Sequence, residues 1–111
     1  MTILAYLTPR AEADIDAQVA WLAKQSTRLA FDFFDAVQLT IQSIAQDPES
    51  GSVWEFEEAV TSSSRVSFFK VLGFPNHLVF YSTTPDRVRI LRLLHAARDI
   101  TRLALADDSP D

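Results

Sequence analysis

HLVFYSTTPDRVRILRLLH, residues 77–95, holds two apolar runs separated by a turn. In the first, His77 to Ser82, Val79 and Tyr81 alternate with Leu78 and Phe80, so both faces are apolar at the centre. That pattern suits a central strand covered on both sides. Thr83-Thr84-Pro85-Asp86 is turn chemistry, and Val88 to His95 reads as the returning strand of an antiparallel hairpin. The second run is odd. Arg89 and Arg92 interrupt its aliphatic residues, and it finishes in the polar cluster His95-Ala96-Ala97-Arg98-Asp99.

Working back from this hairpin, Arg65 to Leu72 is a further strand, with a turn around Gly73-Phe74-Pro75-Asn76. Ile3 to Leu7 is a short apolar run suited to a first strand. Thr8-Pro9 then starts a helix, Thr8 as cap and Pro9 at the first helical position. Its stripe is Ala11, Ile15, Val19 and Leu22. Gln25-Ser26-Thr27 turns and recaps the chain. A second helix carries Ala30, Phe33, Phe34, Val37, Ile41 and Ile44 and stops at Asp47-Pro48.

The short turn makes the helices antiparallel neighbours. Residues 48–64 read as loop, with Trp54 and Phe56 among Glu55, Glu57 and Glu58 as anchors on the domain or, alternatively, contacts for a partner. From about Asp99 the chain has material for one or two helical turns. The order is β-α-α-β-β-β: an α+β fold in which a helical hairpin packs on one face of a small, mainly antiparallel sheet. One domain is expected over residues 1–106, with 107–111 as a disordered tail. Phe33, Phe34, Val37, Ile41 and Ile44 are expected to pack against Val79, Phe80, Ile90 or Leu94 in a single core.

The 111 residues, 48% of them apolar, provide enough core for one domain without staples. Zero cysteines exclude disulfides and thiolate chemistry and fit a reducing cytoplasm. No run is long and apolar enough to span a membrane, and the first residues lack the pattern of a secretion signal. The net charge of −5 disfavours electrostatic coating of nucleic acid. It also hides a split: residues 1–64 hold 3 basic and 10 acidic side chains, and residues 65–98 hold 6 basic ones against Asp86.

Most chemistries fail on composition. His77 and His95 have no ligand partner at a metal-binding spacing, 2 glycines cannot build a phosphate loop, and no nucleophile elbow exists. The sequence calls for no cofactor. Metal-free RNA cleavage needs a base, an acid and cations on the phosphate. Arg65, Lys70, Arg89, Arg92 and His95 are the right types for it. Equally, Arg89 and Arg92 can pair with carboxylates of the helices, and both readings stay open on residue types alone.

The element order, the opening strand followed by Thr8-Pro9-Arg10-Ala11-Glu12-Ala13-Asp14-Ile15, and above all Val88 to Asp99 resemble the RelE/ParE superfamily of bacterial toxin–antitoxin toxins. The ending is similar to the ParE branch, whose last strand runs V-x-I-L-R-V-L-H-G-A-R-D, with Ala96 here in place of the glycine. Arg65 is similar to the arginine preceding the family's hairpins. The ribonuclease branch has more lysines and a C-terminal tyrosine. This chain has no tyrosine after Tyr81, and Lys70 is its one lysine past Lys24.

The resemblance implies a non-enzymatic toxin, DNA gyrase as target, a ParD-like antitoxin as partner in a hetero-oligomer, a cytoplasmic location and a role in plasmid or chromosome maintenance. Arg65, Arg89, Arg92, His95 and Arg98 are the expected partner-binding residues, with no catalytic residue and no metal. The alternatives are a RelE-like ribosome-dependent endoribonuclease and a degenerate, non-toxic partner-binding protein of the same fold.

Overall fold

The computed structural model describes residues 3–53 and 66–99. β1 (Leu4–Leu7) leads into α1 (Pro9–Ala23) through Thr8, whose hydroxyl accepts from the Ala11 N–H at 3.1 Å. Ser26 caps α2 (Thr27–Gln46) in the same way, accepting from the Leu29 N–H at 3.1 Å. Both helices therefore begin where a side-chain oxygen replaces the missing backbone acceptor. A short 3₁₀ turn, Pro48–Ser50, precedes β2 (Ser52–Val53). The rest of the sheet is β3 (Ser67–Val71), β4 (Phe74–Thr84) and β5 (Arg87–His95), and α3 (Ala96–Asp99) follows directly.

Among the described residues the strands form one sheet in the order β1-β5-β4-β3-β2, parallel only between β1 and β5. The α+β architecture is thus the expected one, with β4 central and a helical hairpin on one face. Ala11, Ile15 and Leu22 of α1 and Phe33, Val37 and Ile44 of α2 bury against Val71, Val79, Tyr81, Val88, Ile90 and Leu93. Leu78, Phe80 and Leu94 form a second buried group, with Phe68 and Leu91 packed on it.

Three expectations need correction. Phe34 is 42% exposed while Phe33 is fully buried. The buried stripe of α2 runs Phe33, Val37, Thr40, Ile44, in steps of 4, 3 and 4, and Phe34 lies one residue round the helix from it. Phe80 and Leu94 belong to the second group rather than to the core under the helices. The first hairpin turns at Leu72-Gly73, with Gly73 at φ 82, a conformation open to glycine. Phe74, Pro75 and Asn76 are already in β4, and Phe74 packs edge-on to Phe33 with ring centroids 5.1 Å apart.

Smaller differences follow the same logic. Ser52–Val53, read as loop, adds two residues to the β3 edge. A helical turn that was not expected, α3, occupies Ala96–Asp99. Arg65, the loop around Trp54 and Phe56, the segment after Asp99 and the tail 107–111 lie outside the described residues.

A bulge sets the geometry of the site. Phe80 pairs with Arg92 and Tyr81 with Ile90, so Leu91 is an extra residue in β5. β1 covers β5 only from Arg87 to Ile90. Past that point β5 has no strand neighbour on its outer side among the described residues, and α1 supplies partners there. The Thr8 N–H donates to Ile90 O at 3.0 Å, the Thr8 hydroxyl donates to Leu91 O at 3.1 Å, and Asp14 accepts the Leu93 N–H at 3.0 Å.

Candidate functional site

The arginines on the most apolar strand divide into two groups at this bulge. Arg92 sits just past it. Its guanidinium gives two hydrogen bonds to Asp14, Nε to Oδ2 at 2.7 Å and Nη2 to Oδ1 at 3.1 Å. The two side chains are 17% and 18% exposed, so this fork is a partly buried, charge-assisted pair. Acidic α1 and basic β5 thereby neutralise each other at the contact between helix and sheet.

His95 ends the strand and starts α3. Its Nδ1 accepts from the Ala97 and Arg98 N–H groups, both at 3.2 Å, so it caps α3 with an imidazole. Its own N–H donates to Asp99 Oδ2 at 2.9 Å. Arg98 donates from Nε to Asp99 Oδ1 at 3.1 Å and from Nη2 to Gln18 Oε1 at 3.4 Å. The Arg98 guanidinium beside Asp99 holds that carboxyl below its ordinary value, and the His95 N–H adds to the effect against partial burial. The His95-to-Asp99 cluster is therefore closed largely by its own bonds, which lock the end of the strand.

These residues border an open cleft between α1 and the β4–β5 end, lined by Asp14, Gln18, Trp21, His77, His95 and Arg98 among others. His77 was not singled out from the sequence. It is the register partner of His95, and the two rings meet edge-on with centroids 5.0 Å apart. Its other neighbour is Phe33, at 4.9 Å. Both ring nitrogens are buried without a hydrogen-bond partner among the described residues. Burial, then the nearby His95 and Arg98, lower the His77 pKa to about 4, so the ring is neutral near pH 7. The hairpin register held the signal for this pair. Counting back from the Thr84↔Arg87 pair places His77 opposite Leu94, and only the extra Leu91 brings it opposite His95.

Arg89 lies apart from the cleft. It pairs in register with Tyr6 of β1 and Ser82 of β4, so it shares their face of the sheet. Arg87, one pair further, places its guanidinium 5.8 Å from the centre of the Tyr6 ring. Of the expected partner-binding residues, the structure brings His95 and Arg98 together beside the cleft, ties Arg92 to Asp14 of the same lining, and places Arg89 on the face of Tyr6 and Ser82. No group of three or more His, Cys, Asp or Glu able to hold a metal ion is found among the described residues. No helix among them is long and apolar enough to cross a membrane.

Residues 5–100 match the family model described as the ParE toxin of the type II toxin–antitoxin system parDE. No curated protein shows significant similarity to the chain.

Proposed function

The chain belongs to the ParE family of type II toxin–antitoxin toxins, and from that premise we propose that it inhibits DNA gyrase by binding it. A ParD-like antitoxin neutralises it in the cytoplasm, and it performs no ribonuclease chemistry of its own. The observation that carries the non-enzymatic part is the commitment of the cluster's polar groups. Arg92 is held by Asp14, and the His95 Nδ1 lone pair faces two backbone N–H groups. A cleavage site needs a base and a cation free to meet the 2′-hydroxyl and the phosphate. Here those groups hold the strand end together instead.

Partner recognition falls to the basic side chains around the hairpin, Arg65, Arg89, Arg92, His95 and Arg98. Arg92, His95 and Arg98 contribute by holding the surface in shape.

The test has two arms. Purified protein is added to gyrase supercoiling and DNA-cleavage assays, with and without a co-purified antitoxin. It is also added to translating ribosomes, with mapping of mRNA 5′ ends. Gyrase inhibition relieved by the antitoxin, with unaltered mRNA, is the expected result. Codon-positioned cuts that vanish in Arg92→Ala would overturn the proposal in favour of a ribonuclease. No effect in either assay, and no growth defect on expression, would mean a partner-binding protein that has lost its toxicity.

A further inference from the structure

α2 carries two rows at helix-packing spacing rather than one. The first, Ala30, Phe33, Val37, Thr40 and Ile44, is buried within the domain. The second, Thr27, Phe31, Phe34, Gln38, Ile41 and Ala45, advances in steps of 4, 3, 4, 3 and 4 and contains no charge. Such an alternation of three and four is the seam along which one helix receives another. The domain covers only the far end of this seam, where Ala45 is buried and Ile41 packs on the core. At the near end Phe31 is 66% exposed and Phe34 42% exposed. Phe31 lies about 160° round the helix from buried Phe33, so it points away from the sheet.

Charge beside the seam selects the occupant. Arg28 and Asp35 each follow a seam residue by one position, and the seven residues between them make about two turns. They therefore lie on the same flank of the phenylalanines, the cation toward the start of the helix and the anion further along. Both are exposed. Arg28 reaches Asp32 at 3.9 Å, between side chains 89% and 58% exposed, a contact that is readily exchanged.

This pattern is complementary to its own reverse, which is what a two-fold interface between identical surfaces requires. With a second α2 laid antiparallel, Phe31 of one copy meets Phe34 of the other. Arg28 then comes within two residues of Asp35 of the second copy along the axis, about 3 Å. The two-fold axis repeats the contact, so four phenylalanines are flanked by two ion pairs. A parallel arrangement would instead set Arg28 against Arg28 and Asp35 against Asp35.

We propose that the Phe31–Phe34 segment of α2 is a homodimer contact, with a second copy of this chain seated antiparallel on it. The aromatic rings provide the affinity, and the Arg28–Asp35 pairs fix the direction. The contact is small for a protein interface, so the dissociation constant should be micromolar or weaker. Arg89 is on the sheet face turned away from the helices and stays uncovered in this dimer. The inference does not rest on the toxin reading.

Sedimentation equilibrium of the full chain across micromolar concentrations tests it, with circular dichroism melts on each variant. The parent should pass from monomer to dimer as concentration rises. Phe31→Asp should weaken dimerisation by about tenfold or more. Arg28→Glu should weaken it several-fold, because both ion pairs turn repulsive. Combining Arg28→Glu with Asp35→Arg should restore the dimer, since the exchange reverses each pair. Leu39→Asp, at an exposed apolar position off the seam, should change nothing. If Phe31→Asp fails to fold, the charge series at Arg28 and Asp35 decides alone. A parent that stays monomeric at every concentration overturns the proposal, and loss of a co-purified antitoxin in Phe31→Asp would then assign the seam to that partner. A dimer indifferent to Phe31→Asp, or a charge exchange that restores nothing, overturns it as well. None of these readouts involves gyrase, so failure here and failure of the toxin reading are distinguishable.

Discussion

Asp14 holds the Arg92 guanidinium with both carboxylate oxygens, at 2.7 and 3.1 Å, while its Oδ2 also takes the Leu93 N–H at 3.0 Å. One helical carboxylate thus takes a β5 backbone N–H beyond the stretch that β1 pairs, and it neutralises the charge placed there. The arginine in this apolar strand is a response to the end of β1.

Breaking the pair from either side leaves a partly buried charge. Arg92→Ala and Asp14→Ala should each destabilise the fold, toward the lower end of about 3–5 kcal/mol, because the side chains keep some solvent contact. Asp14→Asn should lose less than Asp14→Ala, since an amide oxygen still accepts the Leu93 N–H. The double variant should cost less than the sum of the singles. Urea midpoints on the four proteins measure this, and additive losses would mean that the two side chains do not stabilise one another.

Neighbouring phenylalanines on α2 should behave very differently. Phe33 is fully buried against Phe74 and His77, so Phe33→Ala should cost about 3–5 kcal/mol. Phe34 is 42% exposed, and Phe34→Ala should cost well under half as much. Chemical denaturation of the pair decides it. A large loss at Phe34 would place a partner or a second copy over that face.

Much of the fold is legible in the residues because its signals are local. Thr8-Pro9, Ser26 and Asp47-Pro48 mark helix ends by bonds their own side chains or rings dictate. The apolar alternation of Leu78 to Tyr81 identified β4 as covered on both faces, and it is. The candidate site was less legible because it depends on an insertion without a sequence signature. Leu91 looks like any aliphatic strand residue, yet as the extra residue of a bulge it shifts the phase of β5. Leu93 then joins Val88 and Ile90 under the helices, Leu94 moves to the other face, and His95 arrives opposite His77. Thr40 was hidden for another reason. Its hydroxyl donates to Ala36 O at 2.7 Å and accepts the Leu72 N–H at 3.0 Å, a contact that only the packed hairpin creates.

Gly51 is required by a close approach rather than by its backbone angles. A Cβ there would meet the Tyr81 hydroxyl and lie 2.8 Å from Phe68 O. The hydroxyl is fixed by a 2.9 Å bond to Pro48 O, and burial pushes its pKa up. Gly51→Ala should therefore cost about 1–3 kcal/mol through overpacking. Tyr81→Phe should cost about 0.5–1.5 kcal/mol for the lost bond. Combining the two should be cheaper than the sum, because removing the hydroxyl relieves the clash. Thermal melts of the three variants provide the comparison, and strict additivity would show that the clash is absorbed by Phe68 instead.

His77 should make the fold sensitive to mild acid. In the unfolded chain its ring takes a proton near pH 6.5, while in the folded protein burial, followed by the charges of His95 and Arg98, delays protonation to about pH 4. Between those limits the unfolded state binds more protons, so stability falls as pH drops from 6.5 toward 4 and is independent of this group above that range. Asp99 acts in a separate window. Its carboxyl is held below 3.8 by Arg98, so its contribution is retained through the same interval and lost only at lower pH. The ring is replaceable in shape by phenylalanine, which packs against Phe33 and His95 and carries no proton. Urea midpoints at pH 7, 5.5 and 4.5 should fall more steeply for the parent than for His77→Phe, with most of the difference appearing below pH 6.5. Parallel curves for the two proteins would show that His77 finds a hydrogen-bond partner in solution and titrates there as it does in the unfolded chain.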